Sequence, residues 1–153
     1  MSLDKFFTRE TSNKGIELPL PLPNGVSSDD HLVIVGKWSD TFRTEEAEMK
    51  REAVQAASKY QDDKVKRAKA MREIEIKFVS SLVTGWSFDV EFNQKNVQKL
   101  LFNAPQIMEL VDQSVVKDSL FFGKPSIGSL NTQEPTSNST ESQKDQKDPQ
   151  GNI

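Results

Sequence analysis

The chain has 153 residues, room for one domain with tails but not for two full cores. Hydrophobic residues make up 35% of it, against about 45–50% in an average globular protein, so part of the chain must lie outside any packed core. Its 20 basic and 23 acidic side chains nearly cancel to a net charge of −3, which argues against nucleic acid or an anionic membrane surface as the main partner.

There is no cysteine, which removes disulfides, thiolate nucleophiles and sulfur-ligated metals together and fits a reducing compartment. Met1 to Gly15 holds no apolar run long enough for a signal peptide, and nothing approaches the ~18 apolar residues that a membrane-spanning helix needs. The expectation is a soluble, cytoplasmic protein.

Residues 1–30 read as an extended, proline-rich lead. Ile16, Leu18, Leu20 and Leu22 alternate with Glu17, Pro19, Pro21 and Pro23. Prolines at every second position remove half the ladder donors, which an edge strand or a polyproline-like stretch tolerates. Asn24-Gly25 marks a turn. His31 to Gly36 then reads as a short strand, expected to pair with the lead across a loop of Val26 to Asp30. Such a hairpin is marginal alone and needs a helix to lean on.

Residues 31–123 read as a single, mostly helical domain. Ser39-Asp40-Thr41 supplies N-cap residues, and from there to Thr84 the chain has neither Gly nor Pro. One unbroken helix over this span would be about 65 Å long. Gln61-Asp62-Asp63 is the place for a kink or break, and Gly85 is expected to stop the helix at its C′ position. Apolar residues are sparse at first (Met49, Ala53, Ala56, Tyr60, Val65) and then tighten into Met71, Ile74, Phe78 and Leu82, a core-facing stripe.

Beyond Trp86 the chain becomes compact and apolar. Asn93 is an N-cap candidate flanked by Phe92 and Val97 as a hydrophobic staple. Val97, Leu100 and Leu101 form a short helix, and Pro105 opens another that carries Ile107 and Val111. Leu120-Phe121-Phe122 closes the domain. Residues 124–153 are expected to be a disordered tail, because Asn131 to Asn152 offer no aliphatic or aromatic side chain to set against the entropy of ordering. The fold class is thus mainly α: a short strand region, one long helix or two, a compact helical subdomain and a tail.

No residue set supports catalysis, a cofactor or a metal. His31 is the only histidine, reads as solvent-facing or at a strand edge, and has no partner at ligand spacing. Lys64, Lys66, Arg67, Lys69 and Arg72 form a basic run downstream of Glu45, Glu46, Glu48 and Glu52. That asymmetry suits either a solvated helix face or contact with neighbouring copies or a helical client. Met49, Ala53, Tyr60 and Val65 are the candidate partner-binding residues: their stripe is too thin for a core and too regular for solvent alone.

Several segments read together resemble the tail assembly chaperones of long-tailed bacteriophages. They are Gly36-Lys37-Trp38-Ser39-Asp40-Thr41-Phe42-Arg43 between strand and helix, Gly85-Trp86 after the helix, Phe92-Asn93 leading to Leu100-Leu101, and the closing Leu120-Phe121-Phe122. The likeness runs from about Val33 to Phe122. It implies a non-enzymatic binder of the tape-measure protein that keeps this client soluble, helps recruit the tail-tube protein and is absent from the mature virion; self-association through the acidic and basic helix halves is a further expectation from the charge pattern. The competing expectation is a structural virion component, such as a head–tail connector or tail-terminator-like subunit.

Overall fold

The computed structural model describes residues 2–123, so the tail expected to be disordered lies outside the described residues. Within them the protein is mainly helical, with one small antiparallel sheet. A 3-10 turn over Leu3–Phe6 precedes helix α1 (Arg9–Lys14), strands β1 (Ile16–Pro21) and β2 (Ser27–Ile34), and helices α2 (Asp40–Lys59) and α3 (Lys64–Ser81). Strand β3 (Val83–Trp86) and helices α4 (Gln94–Asn103), α5 (Pro105–Val115) and α6 (Asp118–Phe122) follow.

The proline alternation does make an edge strand. In the order β1-β2-β3, β1 pairs on one side only, and Pro19 and Pro21 point outward while Leu18 and Leu20 are buried in the core. The hairpin turn is tighter than expected. Leu22 N donates to Val26 O at 2.8 Å, Gly25 takes φ 87°, and Asn24 Oδ1 accepts from Val26 N at 3.0 Å. Residues 27–30, expected as loop, therefore belong to β2, with Ser27 opposite Pro21. His31 sits on the middle strand rather than an edge, half-buried, with Nε2 3.7 Å from Glu17.

The lead is not extended throughout. Its helix α1 is held by a bidentate contact from Arg9 to Asp40 at 2.8 and 2.7 Å and by Asn13, which both donates to and accepts from Asp40. Gly15 ends α1 at φ 81°, and a Cβ there would lie 2.4 Å from the carbonyl oxygen of Ile34. Only glycine admits that approach.

Two helices replace the single rod. Asp63 Oδ1 accepts from Lys66 N at 3.0 Å and caps α3, while Arg67 Nη1 donates to the carbonyls of Tyr60 and Gln61 at 3.1 and 3.0 Å. A cation thus satisfies carbonyls left over at the end of α2. The turn sends α3 back along α2: Phe42 meets Phe78 edge to face with ring centroids 5.4 Å apart, and Lys77 Nζ reaches Glu52 at 2.7 Å.

Gly85 is not a helix stop. Helix α3 ends at Ser81, and Val83 to Trp86 pair with β2, Val33 opposite Gly85 and Leu32 opposite Trp86. Val83 and Leu82 are fully buried beside Leu32 and Ile34, so the chain gains more as a third strand than as another helical turn. The core lies between this sheet and the helices, with Val79, Val97, Leu101 and Val111 at its centre.

Candidate functional site

The segments that carry the family resemblance build joints. Gly36 lies where a Cβ would meet Ser12 Oγ at 3.0 Å and the Phe121 ring at 3.1 Å. Ser39 Oγ accepts from Phe42 N at 3.1 Å and caps α2. The next residue, Asp40, ties α1 to that helix start, and hydrogen bonding from Arg9 holds its carboxyl below the usual carboxylate range. Trp38 Nε1 donates to Asp118 at 2.9 Å, and Asn93 caps α4 through Asn96 N at 2.8 Å. Trp86 packs edge to face on Phe88 and Phe92, its Nε1 donating to Val90 O at 2.9 Å. Most of these side chains are engaged in the fold, though Trp38 remains partly exposed.

The four candidate contact residues do not form one patch. Met49 and Ala53 line a groove of about 540 Å³ between α2 and α3, opposite Ala68, Met71 and Ile74, with Lys50, Arg72 and Glu75 on its rim. Met49 also leans on the core. Tyr60 is half-buried in the turn between the helices, with Lys59 Nζ 5.3 Å from its ring centre. Val65 is 79% exposed in the first turn of α3. The helical hairpin therefore offers a groove between its helices and, separately, an exposed Val65 at a tip otherwise rich in polar residues.

The basic run on α3 divides in the same way. Arg67 is spent on the turn, whereas Lys64, Lys66, Lys69 and Arg72 face solvent. Among the acidic residues of α2, Glu48 pairs with Arg51 and Glu52 with Lys77, so part of the charge asymmetry is neutralised within the hairpin. Hydrogen bonding to Glu52 raises the Lys77 pKa.

A second concavity had no counterpart among the candidate residues. It measures about 430 Å³ and is lined by Trp86, Phe88, Val90, Lys99 and Leu100. The closely spaced aromatics at 86 and 88 were its one sequence signal. Trp86 is half-buried, so it serves as core anchor and as cavity wall together.

Among the described residues no three His, Asp or Glu side chains converge on a metal site, and no helix is long and apolar enough to cross a membrane. Grooves with charged rims lie open on a paired-helix scaffold backed by a small sheet, which makes the class a mainly helical, helical-hairpin protein. The chain belongs to the phage tail assembly chaperone family, which matches residues 17–116, more than half of its length. That match runs from β1 to the end of α5 and leaves α1 and α6 outside. The family is of a non-enzymatic kind whose partners are proteins. No curated protein and no solved structure matches the chain.

Proposed function

We propose that this chaperone binds the tape-measure protein of its phage, keeps it soluble and helps recruit tail-tube subunits during tail morphogenesis. It acts in the host cytoplasm and is left out of the finished particle. The observation that carries this reading is the open groove between α2 and α3, lined by the half-buried Met49, Ala53 and Met71 on two helices of about 30 and 27 Å. A tape-measure protein is long and helical, and a row of chaperone copies holding it side by side gains avidity with no tight single contact. Tyr60 and Val65 extend the contact at the hairpin tip.

Two measurements test the proposal together. Co-expression with the tape-measure protein of the same phage should keep that client in the soluble fraction and bring it down with the chaperone. Mass spectrometry of purified particles should find no copies of this chain. Stoichiometric copies in the particle would make it a connector or terminator subunit instead, and a client that stays insoluble with the chaperone present would remove the reading.

A further inference from the structure

Apart from Met1, every methionine in the chain sits on one face. Met49 and Met71 line the groove between α2 and α3, and Met108 lines a neighbouring groove of about 340 Å³ between α3 and α5, beside Pro105. Arg72 and Glu75 line both grooves. They lie about one turn apart on α3 and form a ridge with a groove on either side.

The two grooves differ in charge. Lys50 and Arg72 stand against Glu75 in the α2–α3 groove, whereas Glu75, Glu109 and Asp112 stand against Arg72 in the α3–α5 groove. Among the described residues, Arg72, Glu75, Glu109 and Asp112 take part in no ion pair. Their charges are free for a partner, and Lys50 is held only by an exposed contact with Glu46 at 4.0 Å.

We propose that the face formed by α2, α3 and α5 seats a single amphipathic helix of the client and fixes its orientation by charge. The helix straddles the Arg72–Glu75 ridge and sends side chains into both grooves. Its carboxylate-bearing edge lies over Lys50 and Arg72, and its cationic edge lies over Glu109 and Asp112. The inference rests on the client-binding reading above and adds the surface and the charge pattern of the segment bound.

Ridge-into-groove packing gives one helix two rows of contact here. Methionine side chains are unbranched and polarizable, so this wall accommodates differing apolar side chains along a long client. Such a surface tolerates sequence change in the apolar stripe while the charged rims select the way round. Among the described residues Lys99 is the one charged side chain on the wall of the Trp86 cavity, so the cavity offers no comparable means of orienting a helix.

The probe is a synthetic amphipathic helix of about 20 residues, a length that supports helicity, with a Leu stripe, Glu along one edge and Lys along the other. Companion peptides carry Glu on both edges or Lys on both. The full chain should prefer the mixed helix by about tenfold over either companion. Bound mixed helix should slow peroxide oxidation of Met71 and Met108.

The variant Glu109→Lys/Asp112→Lys alters two exposed positions on α5, so its melting curve should overlay that of the parent. It should lose the mixed-helix preference and favour the peptide with Glu on both edges. Equal affinity for all three peptides, no binding of any of them, or protection at neither methionine would overturn the proposal. Co-expression separates the two layers of argument. If the parent chain retains the tape-measure protein and the variant retains it equally, the surface assignment fails and the client-binding reading stands. If the parent retains none, the client-binding reading itself fails.

Discussion

Replacing Gly36 by Ala would press one methyl group into the point where α1, the entry to α2, and α6 meet. The new Cβ would stand 3.0 Å from Ser12 Oγ and 3.1 and 3.2 Å from two ring carbons of Phe121. Ser12 is 1% exposed and Phe121 7%, so neither has open space to move into. The backbone cannot retreat cheaply either, because Gly36 N donates to Ser12 O at 3.2 Å. Overpacking of this kind costs about 1–3 kcal/mol, and a fold of this size loses about 4 °C per kcal/mol, so the melting temperature should fall by roughly 4–12 °C. Circular dichroism at 222 nm reads the loss, and amide exchange should show α6 loosening first, since Phe121, which packs its ring on Gly36, is the residue of α6 buried in the core. Ser12→Ala supplies the internal check. Its buried Oγ has no hydrogen-bond partner among the described residues, so removal alone should be neutral or mildly stabilising. Added to Gly36→Ala it should recover part of the loss, because one of the three close contacts disappears. An unchanged melting temperature in Gly36→Ala, or no recovery in the double variant, would refute the packing argument.

Arg67→Ala should destabilise the fold by about 1–2 kcal/mol, since two carbonyls at the end of α2 lose a charged donor. Urea unfolding measures it, and an Arg67→Lys variant should recover only part, because a point charge cannot match the planar fork. Gly85→Ala should be tolerated to within about 0.5 kcal/mol, because the new Cβ would meet Val33 at an ordinary 3.5 Å. A large loss would mean that the residue is a left-handed helix stop after all. Arg9→Gln probes the Asp40 pair across pH. The folded pKa of Asp40 is lowered, so the pair stabilises the fold above the unfolded carboxylate value near ~3.9, and that contribution disappears as pH falls through the folded value. The difference in urea midpoint between parent and Arg9→Gln should therefore close on acidification, and a constant difference would show that the pair contributes nothing.

Local chemistry alone determined a good deal of this protein. Ser39 and Asn93 cap the helices that follow them, Pro105 stands at the first turn of α5, and Asn24-Gly25 makes the hairpin turn. The helix break falls beside Gln61-Asp62-Asp63, where Asp63 caps α3. Each of these rests on a residue and neighbours within a few positions, so each was legible without the fold. Family resemblance was legible for the same reason: its segments are short and local, although the closing Leu120-Phe121-Phe122 lies outside the matched residues 17–116.

Tertiary structure decided the rest. Val83 to Trp86 follow directly on a helix-forming run, and what makes them a strand is pairing with β2, a partner about 50 residues earlier in the chain. Helix α1 exists because Asp40, far along the chain, holds Arg9 and Asn13. Met49 and Ala53 share a helical stripe with Tyr60 and Val65 in the sequence, yet the turn at residues 60–63 parts them and brings Met71 to Met49 instead. A strand partner, a groove wall and a distant ion pair all depend on residues that meet only after the chain has closed a long loop, and hydrophobic periodicity carries no information about which distant segment will fill the space beside it.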